Sequence, residues 1–329
     1  MITDKILVTG AAGFIGSNLV DALLKRGAIV TGLDNFDPFY DRKIKELNIE
    51  SALKNPGYNF REGDIRDNEF INDCLRNFNP DIIVHLAAKA GVRPSLSDPQ
   101  EYYDVNVMGT LNLLEAMKAN KIKKMIFASS SSVYGNNEKV PFSETDNVDY
   151  PISPYAASKK AGELLCFTYH NLYDFDIFCL RFFTVYGQRQ RPDLAIHKFT
   201  KALLNDQFIS LYGDGSTRRD YTHIDDIVHG IIESIKRVTG YEIFNLGESS
   251  TVSLKKLVTI LENYTNKEAK IKYLPMQEGD VIQTFADITK ARNLLNYKPV
   301  INIEAGIKNY VKYFISMNEL QNAYGGRNL

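Results

Sequence analysis

The chain has 329 residues, a formal net charge of -1, 44% hydrophobic residues and 24% charged ones. That is ordinary for a globular protein able to bury a sizeable core, and the charge leaves no footprint for nucleic acid or an anionic membrane. No apolar run approaches the roughly eighteen residues of a spanning helix, and the N-terminus lacks the basic and apolar regions of a leader, so a cytoplasmic protein acting on a small molecule is expected. Cys74, Cys166 and Cys179 stand in apolar contexts without metal spacing, so buried free thiols and no metal site are expected.

In chain order, the first apolar run, 5–9, leads into "TGAAGFIG" and an amphipathic stretch at 14–26. Gly10, Gly13 and Gly16 are spaced GxxGxxG, a weak signal alone, but here the pattern joins a strand to a helix. Glycines permit a tight turn and close backbone approach, and the helix N-terminus offers unpaired N–H groups to a pyrophosphate. The next run, 28–33, stops at Asp34, eighteen positions after Gly16 and close to the roughly 20 expected of a ribose-binding acid. Asp34 would accept from both ribose hydroxyls and repel a 2′-phosphate, which selects NAD over NADP. "EGDIRD" sets Asp64 after a third short strand, on the adenine side of such a sheet or simply as a loop aspartate.

A helix is expected at 67–77 and a strand at 81–86, followed by the small residues Ala87 and Ala88, which let a cofactor cross the sheet edge. A helix at 101–119 precedes the strand 123–128, which runs into "FASSSSVYG", and a helix at 154–172 precedes the strand 176–181. Alternation of this kind specifies an α/β fold, a doubly wound parallel sheet with helices on both faces. Tyr155 and Lys159 are spaced i and i+4, so they share a helix face. An ammonium beside a phenol, together with a positive nicotinamide, favours the phenolate, and Tyr155 can then take a proton from a sugar hydroxyl. A lone YxxxK is commonly a surface pair; the serine run adds the second hydrogen-bonding partner an alcohol needs, and Ser130 is the candidate. After about residue 186 the pattern loosens into basic, glycine-rich and short apolar pieces, so a smaller region begins there. The expected division is an NAD-binding domain over 1–185 and a C-terminal α/β substrate domain over 186–329, with interleaved segments and a cleft between them. Leu113, Leu114, Leu164 and Leu165 exceed what one helix face needs against the sheet, so a homodimer through 101–119 and 154–172 is expected.

Together, "TGAAGFIG", Asp34, "FASSSSVYG", "YAASK" and "NVMGTLNLLEA" resemble the extended short-chain dehydrogenase/reductase family, specifically its NAD-dependent nucleotide-sugar epimerases and dehydratases, from residue 5 to about 310. The resemblance implies a Rossmann-like domain holding NAD tightly and regenerating it each turnover, a UDP-sugar substrate, and Ser130, Tyr155 and Lys159 as catalytic residues. It further implies that Phe14, Ile15, Asn35, Ile65, Leu86 and Val185 join Gly10, Gly13, Gly16, Asp34, Asp64, Ala87, Ala88, Tyr155 and Lys159 around the cofactor.

Oxidation at C4 of the sugar makes a ketone whose fate depends on its neighbours. Dehydratases of this family carry an acidic pair in the serine turn, and the decarboxylases that resemble this chain carry a glutamate where Ser132 stands. Ser131 and Ser132 occupy those places here, so elimination and C5 protonation lose their agents and the C4 epimer is the expected product. "LRFFTVYGQRQRPDLAIHKF", "DNFDPFYD" and "MQEGDVIQTFADI" resemble the UDP-glucuronate 4-epimerases in particular. By that resemblance Ser131, Ser132 and Thr184 hold the sugar carboxylate, and Arg191 and Arg219 are candidates for the diphosphate, whose oxygens match guanidinium forks. Tyr212 is placed near the uracil, Asp280 on the uridine ribose and Gln277 where galactose epimerases usually carry arginine. The second reading is a 4-epimerase of UDP-N-acetylglucosamine, its uronic acid or UDP-glucose, the small Thr284 leaving room for an acetamido group, and a non-catalytic protein that binds NAD or a UDP-sugar is the third.

Overall fold

The structure is a computed structural model that describes residues 4–276 and 281–323. Seven strands form one parallel sheet: β1 (Lys5–Thr9), β2 (Ile29–Asp34), β3 (Tyr58–Glu62), β4 (Ile82–His85), β5 (Lys124–Ser130), β6 (Asp176–Phe182) and β11 (Tyr241–Leu246). Their spatial order is β11-β6-β5-β4-β1-β2-β3, so the chain reverses direction across the sheet between β1 and β4. In such sheets ligands bind at that reversal, outside the carboxyl ends of the strands.

The strands are apolar on both sides because both sides are covered. Ile6 and Val8 of β1 pack beneath α1 (Phe14–Leu24) and α9 (Ile224–Arg237), in one cluster with Leu19, Leu23 and Ile231. Leu7 points the other way, with Ile83, Met125 and Phe127, beneath α3 (Asn68–Phe78), α6 (Gly109–Ala119) and α7 (Pro154–Tyr173). The same part of the chain also forms α2 (Arg42–Leu53), α4 (Val92–Ser97) and α5 (Pro99–Tyr103). Cys74, Cys166 and Cys179 are buried free thiols. No helix among the described residues is long and apolar enough to cross a membrane.

The helix expected over 101–119 is three pieces. Between α5 and α6 the backbone widens into a π-turn, Asp104–Met108. Such turns carry one residue more than the α-helical repeat and often mark functional sites. Here the turn buries Asn106, whose amide donates to the Lys89 carbonyl at 3.0 Å and to Ser158 Oγ at 2.9 Å, while its Oδ1 accepts from Lys89 N at 2.8 Å.

The rest of the chain is built from short pieces. Strands β7 (Thr184–Tyr186) and β10 (Tyr221–His223) pair in parallel, β9 (Arg218–Arg219) and β12 (Val252–Ser253) antiparallel, and β8 (Phe208–Tyr212) and β13 (Lys270–Leu274) in parallel. Helices α8 (Ala195–Leu204), α10 (Leu254–Thr265) and α12 (Ile303–Ala323) share a separate core with β8 through Leu203, Leu211, Leu257 and Ile307, while α11 (Thr289–Leu295) packs under the sheet through Ala291 and Leu295. Leu113 and Leu114 are fully buried against the sheet and Leu165 packs against the same core, so these three are not the surplus apolar surface expected of a dimer face. Leu164 is 55% exposed, and Phe167 beside it 51%.

Candidate active site

At the reversal point, β1 ends in the glycine turn. Gly10 has φ +71°, and a Cβ there would stand 2.8 Å from Ala87 N. A Cβ on Gly16 would stand 2.1 Å from the Gly10 carbonyl oxygen, so α1 packs against the turn only because both residues lack side chains. Gly13 caps α1 without any side-chain hydrogen bond, which leaves the first N–H groups of the helix to a ligand. These are the features a pyrophosphate requires, and they fit NAD.

Asp34 closes β2 and is 6% exposed. Burial raises its carboxyl, and this is opposed by Lys45, whose Nζ is 3.9 Å away, and by N–H groups of Phe36 at 2.9 Å and Ala12 at 3.1 Å. Lys45 is a cation that sequence reasoning missed, because it reaches Asp34 from α2 across an intervening loop. Asn35 donates to Asp64 at 2.8 Å, and Asp64 also binds Arg66. Burial works against the Asp64 charge, but the bonds from Arg66 and Asn35 win and hold its carboxyl down at about 2.

A cavity of about 360 Å³ opens above this edge. At its cofactor end Gly10, Gly13, Phe14, Ile15 and Gly16 line it with Asp34, Asn35, Asp64 and Ile65. Leu86, Ala87 and Ala88 line its middle, and Ser130, Tyr155, Lys159, Thr184, Val185 and Arg191 its far end. The structure therefore brings together every residue expected around the cofactor.

Tyr155 stands in the first turn of α7, which begins at Pro154 because Ser153 caps it, accepting from Ala156 N at 3.1 Å. Burial raises the phenol, while a hydrogen bond from Ser130 and the charge of Arg191 lower it. This departs from the expectation that Lys159 depresses the phenol. The Lys159 ammonium is bound to the Ala128 carbonyl at 2.8 Å, and burial brings it down to about 8. Ser130 accepts from Ser132 N at 3.1 Å, which leaves its O–H available to a second partner.

Of the residues expected on the sugar, Thr184 lines the cavity, whereas Ser131 and Ser132 lie half-buried in the 3-10 turn Ser131–Tyr134 just outside its wall. Arg191, a candidate for the diphosphate, sits in the same cavity as Tyr155. It binds Asp193 at 2.7 Å, donates to the Ala90 carbonyl at 3.2 Å and covers the Phe39 ring at 5.0 Å. Thr184, Val185 and Leu194 also line an adjoining cavity of about 460 Å³ that holds Tyr212, Arg219 and Arg93, the last stacked on Tyr212 at 4.5 Å. Thr284 is buried, its hydroxyl accepting from Asp220 N at 3.2 Å. Gln277 and Asp280 lie outside the described residues. Asn106, which ties the π-turn to the Lys89 backbone and Ser158 Oγ, has no local sign in the sequence beyond the "NVMGT" stretch.

A parallel sheet with a glycine turn, a buried acid and a Ser–Tyr–Lys group in one cleft defines a dinucleotide-dependent enzyme of the short-chain type. A family model described as GDP-mannose 4,6 dehydratase matches residues 7–310, and the chain belongs to that family, within the extended short-chain dehydrogenase/reductases. It is 45% identical over 308 residues to the UDP-glucuronate 4-epimerase of Thermodesulfobacterium geofontis, covering 93% of this chain and 95% of that one. It is 44% identical over 331 residues to UDP-glucuronate 4-epimerase 1 of Arabidopsis thaliana, covering 95% and 77%. Among solved structures, the UDP-glucuronic acid 4-epimerase of Bacillus cereus, in complex with UDP-glucuronic acid and NAD, superposes with a TM-score of 0.90 at 40% identity, covering 95% of this chain and 99% of that one.

Proposed function

We propose that this protein is a cytoplasmic UDP-glucuronate 4-epimerase that interconverts UDP-glucuronate and UDP-galacturonate through a transient 4-keto sugar. The observation that carries this reading is the distribution of groups in the cleft. Ser130, Tyr155 and Lys159 share one wall, while among the described residues the acids lining the main cavity are Asp34, Asp37 and Asp64, at the cofactor end. Asp193, in the adjoining cavity, is bound by Arg191. Among the described residues, a sugar at Tyr155 meets the hydroxyls of Ser130 and Thr184 and none of the carboxylates that elimination or C5 protonation would need.

The glycine turn, Asp34 and the wall from Leu86 to Ala88 hold NAD, which when bound supplies a reversible hydride acceptor. Tyr155 takes the proton of the C4 hydroxyl, Ser130 donates a hydrogen bond to the same site, the charge of Arg191 favours the phenolate, and Lys159, held on the Ala128 carbonyl, faces the cofactor from the same wall. The ketone of a hexuronic acid is a β-keto acid, which loses carbon dioxide when the bond to the carboxylate aligns with the π system. Thr184, assisted by Ser131 and Ser132, holds the carboxylate near the ring plane, where that alignment fails. Arg219 and Tyr212 receive the nucleotide end in the adjoining cavity, with Arg191 nearer the sugar. Asp280 and Gln277 are proposed to complete that end. Incubation with UDP-glucuronate tests the reading. UDP-galacturonate as sole product supports it, UDP-pentose makes the enzyme a decarboxylase, and no turnover rejects it.

The protein is proposed to work as a homodimer. Leu164 and Phe167 of α7 and Met108 of the π-turn, each about half exposed, present the apolar face that a second copy would cover. A monomeric mass in light scattering at micromolar concentration would reject this.

A further inference from the structure

Behind the cleft lies an ion pair that the reaction above does not use. Arg181 of β6 and Glu163 of α7 each have side chains only 1% exposed, and two parallel hydrogen bonds join them at 2.8 and 2.9 Å. A pair buried this deeply loses the hydration of both charges, and well-packed apolar replacements are often as stable or more so. Stability alone gives a weak reason for its presence, so its connections matter.

Glu163 follows Tyr155 by eight residues and Lys159 by four, so the three side chains run along one face of α7. Their partners are three consecutive residues at the tip of β5. Lys159 donates to the Ala128 carbonyl at 2.8 Å, Ser129 Oγ donates to Glu163 at 2.6 Å, and the next residue, Ser130, lies beside Tyr155 and lowers its phenol. The Arg181 guanidinium also lies 4.8 Å from the ring centre of Tyr134, the last residue of the serine turn. The Tyr134 phenol donates to Asn245 Oδ1 at 2.7 Å, which ties that turn to β11. One guanidinium therefore touches both the serine turn and the carboxylate that braces the helix of Tyr155.

The geometry points to Glu163 and Arg181 as positioning residues that fix Tyr155 relative to the serine turn, so that proton transfer and carboxylate restraint act on one sugar pose. This rests on Tyr155 being the base. A pair that served packing alone would govern stability and leave turnover of the folded enzyme untouched.

The double variant Glu163→Leu/Arg181→Met separates the two roles, because it removes both charges of the pair and strands neither, and the one other cation facing Glu163 among the described residues, Lys160 with its Nζ 3.9 Å away, is partly exposed to water. The expected result is a folded enzyme with little change in Tm or in KM for UDP-glucuronate, but with kcat lowered about tenfold or more by misplacement of the base. The limb of the kcat–pH profile set by Tyr155 should be displaced as well. Ser129→Ala, a one-atom deletion, should displace the same limb and lower kcat by a smaller factor, and Ser129→Thr, which keeps the hydroxyl, should restore both. Should the double variant not fold, the Ser129 pair decides. Unchanged kcat and pH profile in Ser129→Ala, or in a folded double variant, overturn the proposal. Tyr155→Phe is assayed alongside: if it stays active, the base assignment falls instead, whereas an inactive Tyr155→Phe beside a fully active Ser129→Ala rejects the positioning role alone.

Discussion

The two ends of the cleft are prepared to different degrees. At the cofactor end the ligand meets fixed backbone: a turn that only glycine fits, the first N–H groups of α1, and Asp34 already oriented by two N–H donors. At the UDP-sugar end it meets side chains already engaged, Arg191 with Asp193 and the Ala90 carbonyl, and Arg93 with Tyr212. A preformed site loses little entropy on binding and retains its ligand, whereas a site of paired side chains must exchange partners each time. The contrast matches an enzyme that keeps its cofactor and turns over its sugar.

The sharpest test of this division is Tyr155→Phe. It should lower kcat by about 10²- to 10⁴-fold, the usual worth of a positioned acid–base group, while leaving the Kd for UDP-glucuronate nearly unchanged. A variant within a few-fold of the wild-type rate would assign the base elsewhere. Next in size, Asp34→Ala should weaken NAD retention by about 10- to 100-fold through the loss of charged hydrogen bonds. Dinucleotide recovered from the denatured proteins measures it, and wild-type NAD content in the variant would mean that the backbone alone holds the cofactor. At the sugar end, Thr184→Ala should slow epimerisation about tenfold, as expected for one lost hydrogen bond to a charged group. It should also release UDP-pentose or its 4-keto precursor, with NADH left on the protein. Epimer as sole product, without NADH absorbance, would remove Thr184 from the restraint.

The smallest effect concerns Glu248, which burial and then the nearby Asp226 and Asp220 push up to about 7. The folded state then binds this proton more tightly than the unfolded state, so stability falls as pH rises from about 4.5 to 7 and the full cost is present above 7. Glu248→Gln should match the wild type near pH 4.5 and exceed it by about 1 kcal/mol at neutral pH, after allowance for partial exposure. Denaturant titrations at several pH values would show this, and parallel curves would mean that the carboxyl ionises freely.

What could be read from the sequence was whatever a single element carries within a few residues. Gly10, Gly13 and Gly16 sit in one turn, Asp34 ends the next strand, and Tyr155 and Lys159 share one helical face. Groups joined across long separations gave no local sign. Asn106 binds residues 17 positions before it and 52 after it, and Arg181 meets its carboxylate across 18. The π-turn was hidden for a related reason, since one extra residue barely disturbs apolar periodicity over 101–119. Leu113 and Leu114 were misjudged because spacing identifies a helix face without telling how much partner surface awaits it. That surface comes from α3 and the sheet, through Ile71, Leu75 and Ile83.

The edge strand β11 pairs with β6 in parallel from Tyr241–Ile177 to Leu246–Phe182. A ribosome translating this chain has finished β6 well before β11 exists, and at about 5–20 residues per second the delay is on the order of several seconds. Through that interval the nascent sheet presents an open apolar edge, the kind of surface that pairs with other chains. A fragment ending near residue 185 would carry the edge permanently, so it should aggregate where the full chain does not, and during synthesis the same strand is a natural point for chaperone engagement.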